Sequence, residues 1–360
     1  MSDPAPASRE PRRRPPGGVG TAPSVSVVMP ILDEEQHLAE AVRGVFAQDY
    51  PGAFEVVLAL GPSADRTNAI AQELADEEPR LRLVENPSGS TPAGLNAAIG
   101  AARGEVIVRV DGHGLLSPGY IATAVRLLDE TGADNVGGLM AAVGTTPFEL
   151  AVARAMTSRI GIGGQSFHVG GEAGAVDSVY LGAFRRTTLT ALGGYDETFR
   201  RAQDWELNYR IREAGGTVWF SPELQVTYRP RSSWKSLARQ FYQTGQWRRV
   251  VSRLHPGTAD SRYLAPPAAV VGIALGTVCG LAGVVADRRP LLAGFVLPAG
   301  YVAGVLAGSA VVSADLPPKA RALLPVVVAT MHLWWGAGFL SSPKDLVDKA
   351  RAGVRARRAA

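Results

Sequence analysis

The stretch Val106-Ile-Val-Arg-Val-Asp-Gly-His113 decides how the rest of the chain is read. Val106 to Val110 is β-branched and mostly apolar, which suits a buried strand, and burial has to stop where Asp111 begins. At the carboxyl edge of a sheet, Asp111 stands where open α/β folds bind their ligands. Gly112 allows backbone and ligand to approach closely, and Asp111 and His113, at spacing two, both reach one divalent ion bridging two phosphates. The competing reading is a solvated turn after a strand, because Asp-Gly is a common turn pair.

Around this stretch, from Ser24 to about Glu223, strands alternate with helical patterns. That alternation predicts an α/β fold with a mainly parallel sheet flanked by helices. The strand candidates are 25–30, 54–60, 81–84, 105–110, 135–143 and 176–184; the helix candidates are 35–47, 65–77, 91–102, 118–130 and one from about Gln203. Asp65 and Thr91 are placed as N-caps, with Pro92 in a first turn. A dinucleotide-binding domain requires Gly-x-Gly-x-x-Gly after the first strand, but this chain has Pro30-Ile-Leu-Asp-Glu-Glu-Gln36. An acidic turn repels a pyrophosphate, so its charge has to be neutralised elsewhere, and a cation at Asp111 does that. A nucleotidyltransferase would need a glycine-rich, basic loop at the same place.

The chain has 360 residues, 46% of them hydrophobic, and the apolar excess is concentrated near the C-terminus. Runs 268–286, 291–312 and 323–340 contain no Asp, Glu, Lys or Arg. Each is long enough to cross a hydrocarbon core of about 30 Å as a helix. Gly272, Gly276, Gly280 and Gly283, then Gly300, Gly304 and Gly308, recur at spacings that permit close helix contact in lipid. The net charge of +4 resides at the chain ends and beside the apolar runs, which points to membrane phosphates and away from nucleic acid. The lone Cys279 excludes a disulfide framework and a thiolate metal cluster. Residues 1–23, with Arg9, Arg12, Arg13 and Arg14 among Pro, Ala and Gly, read as a disordered tail without a signal peptide. Between 232 and 256, Trp234, Lys235, Arg239, Phe241, Tyr242, Trp247, Arg248, Arg249 and Arg253 predict an interfacial helix at an anionic membrane. The expected organisation is thus a tail (1–23), a catalytic domain (24–256), a membrane domain (266–341) and a basic tail (342–360).

Residues 24 to about 256 resemble the family 2 glycosyltransferases with a GT-A fold, and among them the membrane-anchored bacterial enzymes of succinoglycan and exopolysaccharide assembly. The resemblance is carried by Val25-Ser-Val-Val-Met-Pro30 with Asp33-Glu-Glu35, Gly61-Pro-Ser-Ala-Asp65-Arg-Thr67, Gly94-Leu-Asn-Ala-Ala-Ile99, Gly104-Glu105 and Val110-Asp-Gly-His113. Gly193-Gly-Tyr-Asp196, Gln203-Asp-Trp-Glu206 and Gln243-Thr-Gly-Gln-Trp247 follow in the family's order.

The resemblance implies a nucleotide-sugar pocket lined by Pro30, Glu34, Glu35, Asp65, Asn96 and Asp111. From the residues alone, Asp65 equally caps the following helix, and asparagines such as Asn86 and Asn96 equally serve the loops they sit in. Asp111 and His113 match the family's Asp-x-Asp, with histidine in place of the second aspartate; the implied cofactor is Mn or Mg, and imidazole suits Mn better. Asp204 matches the catalytic base, with Glu206 as neighbouring competitor and a helix cap as the other reading. Gln243, Gln246 and Trp247 match a Gln-x-x-Arg-Trp motif that contacts diphosphate and acceptor. Gln246 stands where arginine is expected, and Arg248 and Arg249 are near enough to compensate, which favours addition of one sugar over processive polymerisation.

The implied activity is inverting transfer of a hexose from a nucleoside-diphosphate sugar, with UDP the expected nucleotide, to a lipid-linked or polysaccharide acceptor. The alternative is a catalytically idle membrane scaffold, which has no need of both Asp111 and Asp204. A cytosolic donor places the catalytic domain on the inner face of a multi-pass protein of the cell membrane. Three crossings then put the C-terminus outside, whereas Lys344, Lys349, Arg351, Arg355, Arg357 and Arg358 argue for inside. Either one apolar run is interfacial or re-entrant, or the tail is exported; the third run, with Pro325, His332, Trp334 and Trp335, is the least lipid-like.

Overall fold

The structure, a computed structural model, describes residues 22–255, 258 and 261–348. The predicted disordered tail before Ala22 and the basic residues from Lys349 onward lie outside the described residues. The chain divides into two compact units that interleave along the sequence. One contains the chain up to Gly138 together with Glu172–Tyr195 and Leu207–Gln225; the other contains Leu139–Gly171, Asp196–Glu206 and Val226 onward.

The first unit is built on β1 (Val25–Ile31), α1 (Leu38–Phe46), β2 (Phe54–Leu60), α2 (Thr67–Glu77), β3 (Leu81–Glu85), α3 (Thr91–Ala101), β4 (Val106–Arg109), β5 (Leu115–Leu116) and α4 (Tyr120–Thr131). Strand β6 (Asn135–Ala142) follows, then α5 (Pro147–Met156), α6 (Arg159–Ile162) and α7 (Ser166–Val169) of the second unit. The chain continues through β7 (Gly174–Ala175), β8 (Tyr180–Arg185), α8 (Arg186–Ala191), α9 (Gln203–Glu213) and β9 (Val218–Tyr228). The sheet runs β3-β2-β1-β4-β8-β6-β9-β5, with β7 paired to β9. β3, β2, β1 and β4 are parallel, and β8 is antiparallel to β4 and β6. It is therefore a mixed, mostly parallel sheet. β1 buries every residue except the half-buried Pro30, as expected of a central strand covered on both faces. Each such buried Val, Leu or Ile contributes about 1.5–3 kcal/mol.

Helix α1 begins at Leu38, three residues later than its pattern predicts. Before it, the backbone N–H groups of Glu34 and Glu35 donate to Thr67 Oγ1 (2.7 Å) and Asp65 Oδ2 (3.3 Å), tying this segment to the loop after β2. The caps of α2 and α3 are Arg66 and Ser90, each one residue from the predicted Asp65 and Thr91.

The second unit contains α10 (Trp234–Leu254), α11 (Ser261–Val285), α12 (Arg289–Leu292), a 3-10 turn, α13 (Val296–Val312) and α14 (Pro318–Leu340). The predicted interfacial segment is one continuous helix, capped by the Ser233 hydroxyl on the Ser236 N–H. Three spans, Tyr263–Val285, Arg289–Val312 and Pro318–Leu340, are long and apolar enough to cross a membrane. Helix α5, which periodicity did not predict, opens with a capping box between Thr146 and Glu149 and packs on α14. Close approach of α10 and α14 depends on glycine at two points. A Cβ at Gly245 would lie 2.1 Å from Trp335 O, and one at Gly338 would lie 2.0 Å from Tyr242 O.

Candidate functional site

Register brings the loops after β1 and β2 together, since Ile31 pairs with Leu60 at the strand ends. Asp33, in the left-handed region with φ 54°, is the hinge of the first loop. Its N–H donates to Ser63 Oγ (3.1 Å) and its Oδ1 accepts from Ala64 N (2.8 Å). Glu35 Oε2 accepts from Arg66 N at 3.0 Å. Asp65 accepts from Thr67 N at 3.0 Å and from the Thr67 hydroxyl, besides Glu35 N. The Thr67 hydroxyl and these N–H groups hold the Asp65 carboxyl below the usual carboxylate range. Asp65 therefore performs the loop-fixing task that the residue type also allowed, while staying partly exposed at the surface.

The end of β4 contains a pairing that the sequence reading did not assign. Arg109 and Asp111 are two residues apart in extended chain and so face the same way. Arg109 Nη2 donates to Asp111 Oδ1 at 2.9 Å and Nε at 3.3 Å, and the arginine is only 3% exposed. Its guanidinium also stands 5.8 Å from the Tyr195 ring centre. The available signal was a single charged residue in an otherwise apolar strand. Beyond Asp111 the turn closes through Gly114 N to Asp111 O at 2.8 Å. His113 Nδ1 lies 2.7 Å from Glu34 Oε1. Gly112 makes room for this contact, because a Cβ there would be 2.9 Å from Glu34 Cγ. The histidine at the aspartate position is thus backed by a carboxylate from the loop after β1.

Asn96 holds a different motif in place. Its Nδ2 donates to Tyr195 O (2.9 Å) and its Oδ1 accepts from Tyr195 N (2.8 Å). Gly194, at φ 70°, permits the approach, since a Cβ would be 2.5 Å from Asn96 Oδ1. Asn86 is buried and bonds Ser88 and Ser90 within its own turn. Pro30 lies half-buried in β1, opposite Ala59 of β2.

The remaining candidates belong to the second unit. Asp204 occupies the first turn of α9, shortly after Ala202 with its φ of 60°. Glu206, the neighbouring candidate, is 1% exposed. Phe199 packs with Trp247, Val250, Val251 and Val347 in one apolar cluster, with Trp205 at its margin. Trp247 is consequently a core residue at 8% exposure. Gln243 Oε1 accepts from Arg201 Nη2 at 3.3 Å, and Gln246 O accepts from the Ser342 hydroxyl at 3.0 Å. The Arg248 guanidinium is 4.7 Å from the Trp205 ring centre and 3.4 Å from that of Tyr263, and it donates to Thr258 O at 2.7 Å. It is buried between aromatic rings, a position that stabilises the start of α11.

The first unit thus joins Glu34, Glu35, Asp65 and His113 through direct bonds, with Asp111 in the same turn as His113. The second joins Asp204's neighbour Trp205 to Arg248, and the segment before it to Gln243.

The Glycosyl transferase family 2 profile matches residues 26–192. The succinoglycan biosynthesis protein ExoA of Rhizobium meliloti is 31% identical over 334 residues, 92% of this chain and 97% of that protein. A dolichyl N-acetyl-alpha-D-glucosaminyl phosphate 3-beta-D-2,3-diacetamido-2,3-dideoxy-beta-D-glucuronosyltransferase of Methanococcus voltae is 22% identical over 225 residues, 60% of this chain and 70% of that one. Among solved structures, a mannosyltransferase from Pyrobaculum calidifontis in complex with GDP-Man and Mn2+ shares the fold at a TM-score of 0.52, with 20% identity and 89% of each chain covered. The mixed sheet is accordingly a GT-A fold, and the chain belongs to the family 2 glycosyltransferases.

Proposed function

We propose that this glycosyltransferase moves a hexose, with inversion, from a UDP-sugar to a lipid-linked or polysaccharide acceptor in exopolysaccharide synthesis at the cytoplasmic face of the inner membrane. The observation that supports this most is the acidic end of β4, where Asp111 is bonded to buried Arg109 and His113 to Glu34. The donor set fits a shared cation. Asp111 and His113 offer one oxygen and one nitrogen ligand, and among the described residues no group of three or more His, Cys, Asp or Glu side chains forms a metal cage. That composition suits a divalent ion whose other ligands are the donor's phosphate oxygens, and the imidazole favours Mn over Mg.

In this reading Asp111 and His113 would hold the ion, and Glu34, bonded to His113 Nδ1, would fix the imidazole for that task. Arg109 orients the Asp111 carboxylate. When bound, the cation neutralises charge developing on the departing diphosphate. Asp204 takes the proton of the acceptor hydroxyl as that oxygen attacks the anomeric carbon from the face opposite the diphosphate. Glu35, Asp65, Pro30 and Asn96 are assigned to the nucleotide-sugar pocket, Glu35 and Asp65 while holding its loops and Asn96 while holding Tyr195. Because Asp204 belongs to the unit that contains the apolar helices, a lipid-linked acceptor suits it better than a free sugar.

The test is to incubate membranes containing the full chain with a panel of labelled nucleotide sugars and extract the lipids. One UDP-hexose is expected to label a lipid-linked product, with the label lost on chelation. Binding of UDP without transfer from any donor would point to the scaffold instead.

A further inference from the structure

We infer that α14 does not cross the bilayer but lies on its cytoplasmic surface, so that the membrane domain is a two-helix hairpin and Lys344, just after α14, lies on the side where α11 begins. Helices α11 and α13 form that hairpin. A Cβ at Gly276 would meet Gly294 O at 2.5 Å and Leu297 at 3.1 Å, one at Gly280 would meet Phe295 at 2.7 Å, and one at Gly283 would meet Leu292 N at 2.9 Å. The closed end is therefore the turn around Asp287–Arg289, and the open end holds the start of α11 and the finish of α13.

The start of α14 is at the open end, and its last turns lie beside Pro266 and Val270 of α11, with His332 3.3 Å from the Tyr301 hydroxyl of α13, short of the closed end. Its first turn is tied to the finish of α13, since Arg321 Nε donates to Ser313 O (3.1 Å) and Nη2 to Ala314 O (2.6 Å). Its last turns meet the start of α11. A Cβ at Gly336 would lie 2.5 Å from Pro266 O, and Trp335 stacks on Tyr263 with ring centres 6.4 Å apart. A spanning helix of this length, about 34 Å at 1.5 Å per residue, would carry its end to the hairpin's closed end.

Polar elements flank α14 over its length, and hydrocarbon would not accept them. Arg154 of α5 reaches Val312 O (2.7 Å) and Asp315 (2.5 Å) beside its start. Arg249 of α10 reaches Phe339 O (2.8 Å) and Leu340 O (2.7 Å) at its finish. Between them, His332 is bonded to Ile160 O of α6 at 2.7 Å. Correspondingly 33% of the most apolar 18 residues of α14 is buried, against 17% and 11% for those of the other two helices. The face left open carries Val326, Trp334 and Leu340, 56%, 46% and 42% exposed, an apolar surface with an aromatic residue suited to the headgroup boundary. The partner of that face is the lipid bilayer already entered by α11 and α13. Lys319 and Arg321 in the first turn of α14 and Lys344 after it then share one side of the membrane, which removes the conflict between three spans and a basic tail.

The test uses the full chain with Cys279→Ala and single cysteines at Lys235, Arg288, Lys319 or Lys344, all exposed. With an impermeant maleimide on intact cells, Arg288→Cys is expected to react, while Lys235→Cys, Lys319→Cys and Lys344→Cys react only after permeabilisation. The cytoplasmic side rests on the proposed function, and Lys235→Cys reports it separately from the hairpin. Reaction of Lys344→Cys together with Arg288→Cys, opposite to Lys319→Cys, would overturn the inference. A spin label on Val326→Cys gives a second reading that does not depend on sidedness. It is expected about 5–10 Å below the headgroups, the depth of an interfacial helix; a depth near the bilayer centre, about 15 Å from either edge, would overturn the inference equally.

Discussion

In the proposed mechanism the chemistry of the first unit turns on two pairs, Arg109 with Asp111 and Glu34 with His113. Asp111→Asn retains the size and hydrogen-bonding reach of the side chain but loses its charge. It is expected to abolish the Mn-dependent part of UDP affinity, as read by calorimetry with and without the ion. Asp111→Ala also removes the acceptor of a buried guanidinium, so it should lower unfolding stability by about 2 kcal/mol besides. Glu34→Gln acts one bond further out and should weaken Mn affinity about 10- to 100-fold with metal-free UDP affinity unchanged. A drop in metal-free affinity would show Glu34 on the nucleotide instead. The strand end before Asp111 was legible because an apolar run stopped at an acid and a glycine. The support of Asp111 by Arg109 was not, because a strand pattern records which residues are apolar and says little of what a lone buried charge bonds.

At the scale of elements, Gly245, Trp247 and Arg248 of the Gln243–Arg248 region serve packing. Arg248 is held between Trp205 and Tyr263. Arg248→Ala is expected to cost about 2 kcal/mol of stability, the worth of a desolvated cation–π contact, with UDP affinity preserved. A role on the diphosphate would reverse that pattern, raising the UDP dissociation constant at constant stability. Gly245 is where α10 crosses α14, and Gly245→Val should cost about 1–3 kcal/mol through overpacking, measured as a fall in the detergent-solubilised Tm. The sequence motif singled out this region. It could not separate contact with ligand from contact between helices, since glycine, tryptophan and arginine serve both. Similarly α5 escaped periodicity because Leu150, Ala151, Val152, Ala153, Ala155 and Met156 make it apolar nearly all round.

Across the whole molecule, the alternation of strands and helices and the order of motifs disclosed the GT-A fold and the family. What they did not disclose is that segments 139–171 and 196–206 fold with the apolar helices, so that Asp204 belongs to the unit that contains them. Long-range packing of this kind leaves no local periodicity. For the proposed mechanism the consequence is that the donor's anchor and the acceptor's base are carried by different units of the chain. The most direct test is single-turnover transfer by the Asp204→Asn variant, measured beside its UDP affinity. Binding like the parent's with transfer reduced by several orders of magnitude is the predicted result; turnover close to the parent's would contradict the assignment of the base and the mechanism built on it.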